Sequence, residues 1–321
     1  MIHPIPPGTR DVLPDEMREL RALSARLRQL FEQAGYGEVR TPALEYEDVL
    51  RRGDDRAASA PFRLFDEHGR VLVLRSDMTI PIARLVAGRY RDAAPPLRFS
   101  YFQHAYRAPD RGRTSAEFLQ GGAELIGSPG SEGEAEVLSL VAEGLTAIGL
   151  RRHMIGVGDG SLYRTLLSEL EVPEEEREPL LGLLSERRFV DLEARIERLD
   201  LDPESRRVLV ELPRIRGGPE VLERGAGPAA AAVEGLRELH AALEARGIAD
   251  RVIFDLGLVR ELDYYTGAVF EVYDPAVGFA LGGGGRYDGL LARFGRDLPA
   301  CGLALDLQAV HTAQAEEERL S

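Results

Sequence analysis

The sequence predicts an α+β protein: a mixed, mostly antiparallel sheet flanked by helices and interrupted by a helical insertion. Three observations carry this. Two β-like runs, Leu97–Tyr106 and Phe118–Ile126, are joined by a polar link from Ala108 to Glu117 that holds Arg111 and Arg113, the pattern of a long hairpin with a charged loop. From Leu162 to Leu243 the chain turns to Leu, Glu, Arg and Ala with few β-branched residues, and Pro173, Pro203, Pro213 and the Gly217-Gly218-Pro219 turn cut it into short helices. Strands then return at Val252–Phe254, Ala268–Tyr273, Phe279–Leu281 and Gly302–Leu305. Antiparallel strands separated by non-crossover helices favour this class over a doubly wound parallel sheet.

The remaining elements follow in order. Pro4 to Pro14 is rich in Pro and Gly and reads as an extended lead-in. Leu20, Leu23, Leu27, Leu30 and Phe31 recur at spacings of three and four, one apolar stripe of a helix that begins near Asp15 and that Gly35 is placed to end. Gly37 to Tyr46 reads as strand, Val71 to Leu74 as a short buried strand, and Thr79 to Val86 as a helix start that tolerates Pro81 in its first turn. Glu132 to Ile148 is helical. Gly225 to Pro228 is a loop entering a long helix that runs through Leu243. Tyr287 to Phe294 and Asp306 to Glu318 are further helices. The expected division is a core over 1–160, the insertion over 161–248, and the rest of the core over 249–321. There is no internal repeat.

At 321 residues the chain suits one large domain with an insertion, or two domains. Its net charge of −14 argues against non-specific attraction to a nucleic-acid backbone. All 40 basic residues are arginine, a base-composition effect that also excludes Schiff-base and P-loop lysine chemistry. One cysteine, Cys301, forbids an intrachain disulfide or a thiolate cluster and fits a reducing cytoplasm. The six histidines are dispersed without metal-ligand spacing, so neither a metal nor a cofactor is expected. With no eighteen-residue apolar run and no signal pattern, a membrane location is not expected.

Several short blocks have the residue types that chemistry needs. In Leu74-Arg75-Ser76-Asp77-Met78-Thr79 an acid and a hydroxyl two residues apart can both accept from one ammonium group; the competing reading is a helix N-cap. Gln120 and Glu124 share one face of a strand, with Leu119 and Leu125 on the other. Tyr264-Tyr265 offers aromatic walls with hydroxyls, suited to a flat half-polar ring, or simple core packing. Gly282 to Gly285 lacks the lysine and the strand-to-helix context of a phosphate loop; such glycines instead let backbone pack closely beside a ligand ring.

Taken together these blocks resemble the histidyl-tRNA synthetases of class II and their relatives. Pro7-Gly8-Thr9-Arg10-Asp11-Val12-Leu13-Pro14 is similar to the family's opening string, and Glu38 to Glu45 to its motif 1, whose proline lies at a homodimer interface. Tyr106-Arg107 with Phe118 to Glu124 resembles motif 2. Arg260 to Gly267 and Leu281 to Gly289 resemble the two histidine signatures. The resemblance implies a class II synthetase core. It also implies a histidine site made of Asp77, Thr79, Arg107, Gln120, Glu124, Arg260, Tyr264 and Tyr265, in which opposed charges anchor the zwitterion and the tyrosines hold the ring.

The departures are as informative. Asp-Met stands at 77–78 where a synthetase has Glu-Gly, the pattern of the family's non-catalytic regulatory paralogues. The hairpin loop carries an unusual Thr114-Ser115-Ala116, and Glu261 replaces a glycine. When Gly302 is matched to the first glycine of motif 3, Asp306, Gln308 and Ala309 fall at its second glycine, its glutamate and its ATP-clamping arginine. Alanine neither stacks on adenine nor neutralises phosphate, and nothing from Cys301 to Val310 is cationic. The sequence given stops where an anticodon-binding domain would begin. Adenylation and tRNA binding are therefore not expected.

The resemblance is to the regulatory subunits of short-form ATP phosphoribosyltransferases in histidine biosynthesis. It implies a non-catalytic chain that partners the short-form catalytic subunit in a hetero-octamer. It also implies a homodimer through the motif 1 region and L-histidine as effector. A truncated histidyl-tRNA synthetase, or a histidine-sensing protein with another partner, are the alternatives.

Overall fold

The computed structural model describes residues 4–54, 62–108, 115–224, 230–259 and 264–320. Arg111, Arg113, the 225–228 loop, Arg260 and Glu261 lie outside the described residues. The first half of the chain holds α1 (Pro14–Gln33), β1 (Gly37–Glu38), β2 (Leu44–Tyr46), α2 (Glu47–Gly53), β3 (Arg63–Phe65), β4 (Val71–Leu74), α3 (Thr79–Arg89), β5 (Leu97–Tyr106), β6 (Glu117–Ile126), α4 (Ser131–Ala147) and β7 (Met154–Asp159). A helical stretch follows: α5 (Leu162–Glu169), α6 (Glu174–Ser185), α7 (Phe189–Ile196), α8 (Pro203–Glu211), the short strand β8 (Arg216–Gly217) and α9 (Ala230–Ala245). The chain then returns to strands with β9 (Val252–Asp255), β10 (Ala268–Tyr273), β11 (Ala280–Arg286) and β12 (Ala300–Asp306), and closes on α10 (Leu307–Leu320).

The main sheet has nine strands in the order β1-β5-β6-β12-β11-β10-β7-β9-β8. Among the described strands only β1 with β5 and β7 with β9 run parallel, so the sheet is mixed and mostly antiparallel. The hairpin of β5 and β6 pairs without interruption from Leu97↔Ile126 to Tyr106↔Glu117. A separate small sheet, β2-β4-β3, stands beside it.

The helices form where propensity and end signals agree. Pro14 starts α1 with Asp15 and Glu16 in its first turn, and Leu20, Leu23, Leu27 and Phe31 are its buried stripe. Asp202 caps α8 through the N–H groups of Glu204 and Ser205 at 2.9 and 3.0 Å, with Pro203 at the first position. The helices of the stretch from 162 onward do not sit apart. Leu180, Leu192, Leu209 and Leu236 share one continuous apolar core with Leu138 of α4, Phe254 of β9 and Leu305 of β12. A second core, built from Met78, Ile82, Val86, Phe99, Tyr264 and Leu290, lies between α3 and the sheet.

The structure differs from the sequence expectations in five places. Gly37–Tyr46 is two short strands in two different sheets rather than one. Val71–Leu74 is a strand, but only Val73 on it is buried. β7 has no counterpart among the expected strands, although it lies inside the main sheet between β10 and β9. Tyr287–Phe294 is a turn followed by a 3-10 helix at Leu291–Phe294, which Gly295 ends with φ of 93°. The glycine run is itself part of β11.

Candidate functional site

Register builds the floor of a cavity on one face of the main sheet. Gln120, Gly122 and Glu124 of β6 lie opposite Asp306, Ala304 and Gly302 of β12. Ala304 and Gly302 face Gly283 and Gly285 of β11, which in turn face Glu271 and Val269 of β10. Across its middle the floor is therefore glycine and alanine, close to bare backbone. Crowding requires this. A Cβ on Gly302 would stand 1.7 Å from Glu124 Oε2, and one on Gly122 would stand 2.5 Å from the Tyr101 hydroxyl. At Gly285 a hypothetical Cβ would stand 2.6 Å from the carbonyl oxygen of Ala268 and 2.8 Å from Tyr265 Cδ1.

The cavity above this floor is about 460 Å³. Six of the eight residues expected at the site line it: Asp77, Thr79, Arg107, Gln120, Tyr264 and Tyr265. Glu124 lies just beneath, 1% exposed. Arg260 lies outside the described residues.

Each side chain has a local reason for its place. Asp77 precedes α3, and its Oδ1 accepts the N–H of Thr79 at 3.0 Å and of Ile80 at 3.4 Å. The capping reading and the cavity position thus hold together. Thr79 donates its hydroxyl to Glu124 Oε1 at 2.9 Å, leaving its lone pairs open to a donor. Glu124 also accepts from the hydroxyl of Tyr287, and Tyr101 lies at 3.5 Å. Burial is the main influence on Glu124. It outweighs these hydrogen bonds and pushes the carboxyl up to about 7, with Asp77 adding to the rise. Tyr264 packs against Tyr265 with centroids 4.8 Å apart and edge-on to Tyr287 at 5.8 Å. Burial raises the Tyr264 phenol well above its ordinary range, so it stays a neutral donor.

Two polar groups bear on what the cavity takes. Gln120 is 5% exposed, and its Oε1 has no hydrogen-bond partner among the described residues. A buried amide oxygen left unpaired is costly, and a ligand N–H would relieve it. Arg107 donates Nε to the carbonyl of Ser76 at 2.6 Å and sits 5.5 Å from the Phe118 ring.

At the other end of the cavity lie Asp306, Gln308 and Ala309, the residues matched to motif 3, together with Arg10 and Glu271, which the sequence did not point to. Arg10 lines it because Ala116 at the hairpin base donates its N–H to Gly8 at 2.6 Å, pinning the N-terminal segment there. Arg10 is paired with Glu16. Asp306 closes β12 and accepts the N–H groups of Gln308 and Ala309 at 3.0 and 3.1 Å, so the first turn of α10 is capped by the protein's own carboxylate. Gln308 accepts from the N–H of Leu119 at 3.3 Å, and the Ala309 methyl completes that wall. Glu271 adds a third acidic lining residue beside Asp77 and Asp306. Among the described lining residues, only Arg10 and Arg107 are cationic. Such a wall suits a zwitterion or cation and opposes a polyphosphate. No group of three His, Cys, Asp or Glu among the described residues is arranged to hold a metal ion. No described helix is long and apolar enough to cross a membrane.

This sheet, with an amino-acid-sized polar end over a glycine floor, is the core of a class II synthetase of the histidine type. Residues 8–310 match the family profile described as histidyl-tRNA synthetase. The chain is 41% identical to an ATP phosphoribosyltransferase regulatory subunit of Desulforamulus reducens, over 96% of its own length and 78% of that protein. It is also 41% identical to one of Rubrobacter xylanophilus, over 94% and 74%. The crystal structure of an ATP phosphoribosyltransferase regulatory subunit/histidyl-tRNA synthetase from Bacillus halodurans C superposes with a TM-score of 0.91 at 33% identity, covering 98% of this chain and 84% of that one. Within the histidyl-tRNA synthetase-like class, the chain belongs to the family of ATP phosphoribosyltransferase regulatory subunits.

Proposed function

We propose that this chain partners a short-form ATP phosphoribosyltransferase catalytic subunit, is required for its activity, and conveys L-histidine feedback to it from the cavity. In this reading Asp77 and Thr79 receive the α-ammonium group, and Arg107 and Arg260 receive the carboxylate. Tyr264 and Tyr265 flank the imidazole, whose N–H groups meet Gln120 Oε1 and Glu124. The observation that carries the reading is the contrast between the two ends of one cavity. One end has acceptors and tyrosines of the kind an amino acid needs. The other has Asp306 and Ala309 where a nucleotide's phosphates would need a cation.

Regulation requires that histidine bind one assembly state better than another. The expected assembly is a hetero-octamer built on regulatory homodimers that meet through the motif 1 region. Exposed Leu44, Tyr46, Leu64 and Phe65 on the small sheet support a protein contact there. Calorimetric titration with histidine, alone and with the catalytic subunit, tests the reading on the native chain and on Arg260→Ala. Saturable binding that weakens in the variant is expected. Unchanged affinity in Arg260→Ala would remove the cavity as the sensor, and histidine-dependent ATP–pyrophosphate exchange would make the chain a synthetase instead.

A further inference from the structure

The turn between α6 and α7 carries a side chain that reaches a carboxylate of the cavity wall. Past the end of α6, Arg187 adopts the left-handed region with φ of 54°. Its N–H donates to Leu184 at 2.9 Å and that of Arg188 to Leu183 at 2.8 Å, the helix ending that glycine usually serves. The backbone alone does not single it out, because Glu171 follows α5 with φ of 52°. The side chain does. Arg187 Nη2 stands 3.2 Å from Asp255 Oδ2 and 4.0 Å from Glu271 Oε2.

The two carboxylates differ. Asp255 is buried at the end of β9 and held by the N–H of Gly257 to its Oδ1 at 3.0 Å, so it is a fixed anchor. Glu271 keeps 30% of its side chain exposed, lines the cavity, and has Arg187 as its one ion-pair partner among the described residues. At 4.0 Å that pairing is loose. A ligand N–H or ammonium at hydrogen-bond distance would compete well for the same carboxylate, since charge-assisted bonds are short and strong.

Resting on the reading that an amino acid occupies the cavity, we propose that Glu271 is shared between that ligand and Arg187. Arg187 is then the positioning residue through which the helices from α5 to α8 sense occupancy. When Glu271 turns to the ligand, Arg187 keeps only Asp255, and the tether on the α6–α7 turn changes. Coupling of this kind is reciprocal, so removing the competing guanidinium must tighten ligand binding.

The test uses the full chain, L-histidine calorimetry, and hydrogen exchange over residues 174–196. Histidine is expected to alter exchange there in the native protein. Glu271→Gln should weaken binding about fivefold or more and abolish the exchange response. Arg187→Gln should bind histidine a few-fold more tightly, also without the response, and Arg187→Lys should restore it. A merely structural role for Arg187 predicts no gain in affinity. Variants that bind histidine and respond over 174–196 as the native chain does would overturn the proposal alone. A native chain that does not bind histidine would overturn it together with the amino-acid reading.

Discussion

Glu124 is a carboxyl group held where its charged form is disfavoured, and this has a measurable pH signature. Its folded value is raised to about 7, while the unfolded chain titrates near the ordinary carboxylate range. Between those limits the folded state holds more protons. The stabilisation is therefore complete below the ordinary range and is lost as pH rises towards 7. Glu124→Gln should flatten that slope, so its melting temperature should gain on the native protein between pH 5 and 8. Gln120 makes the complementary prediction. Its Oε1 has no partner among the described residues to lose, so Gln120→Leu should shift the melting temperature little. Histidine affinity should fall roughly ten- to a hundredfold, the worth of a hydrogen bond to a buried acceptor. The residues around these two were legible because acids, amides and tyrosines fell into short blocks of recognisable spacing. Arg10 and Glu271 were not. Nothing local marks them, and they reach the cavity only through the Gly8–Ala116 bond and the pairing of Glu271 with Gly283.

At the level of elements, the junction of β12 and α10 is the most decisive. Asp306 ends the strand and begins the helix, and Asp306→Ala should cost about 1 kcal/mol in a denaturant melt, the usual value of an N-cap. Gly302→Ala should cost more, since the new methyl meets the Glu124 carboxylate and the carbonyl of Ala123 at 2.8 Å. The long hairpin, α1 and β10 were readable because period-two and period-3.6 patterns last for many residues there. β7 was not, because Met-Ile-Gly-Val-Gly-Asp is short and has a glycine at alternate positions. A side chain at Gly156 would collide with the Tyr273 hydroxyl and one at Gly158 with the carbonyl of Asp255, a tertiary demand that no local pattern displays. The glycines of β11 have the same cause, and the strand expected over Phe279–Leu281 stops short of them.

For the molecule as a whole, the two apolar cores divide the work. The larger one welds the helices from α5 to α9 to the sheet, while the smaller one supports α3 and the tyrosines of the cavity. The small sheet β2-β4-β3 joins the smaller core only through Val73 and leaves its other face open, with Phe65 73% exposed. If it is the homodimer surface, Leu44→Glu together with Phe65→Glu should shift light-scattering mass from dimer to monomer and leave the melting temperature nearly unchanged. A dimer that persists would place the contact elsewhere.

The backbone floor of the cavity has a consequence for how this pocket changes its ligand. A surface made of main chain is hard to recontour by swapping side chains, because a carbon added at Gly122, Gly285 or Gly302 collides with Tyr101, the carbonyl of Ala268 or the Glu124 carboxylate. New preferences must come from the surrounding fence, chiefly Gln120, Tyr265, Glu271 and Asp306. A selection for variants answering to a different amino acid should accumulate its substitutions there and leave the glycines of β11 and β12 untouched.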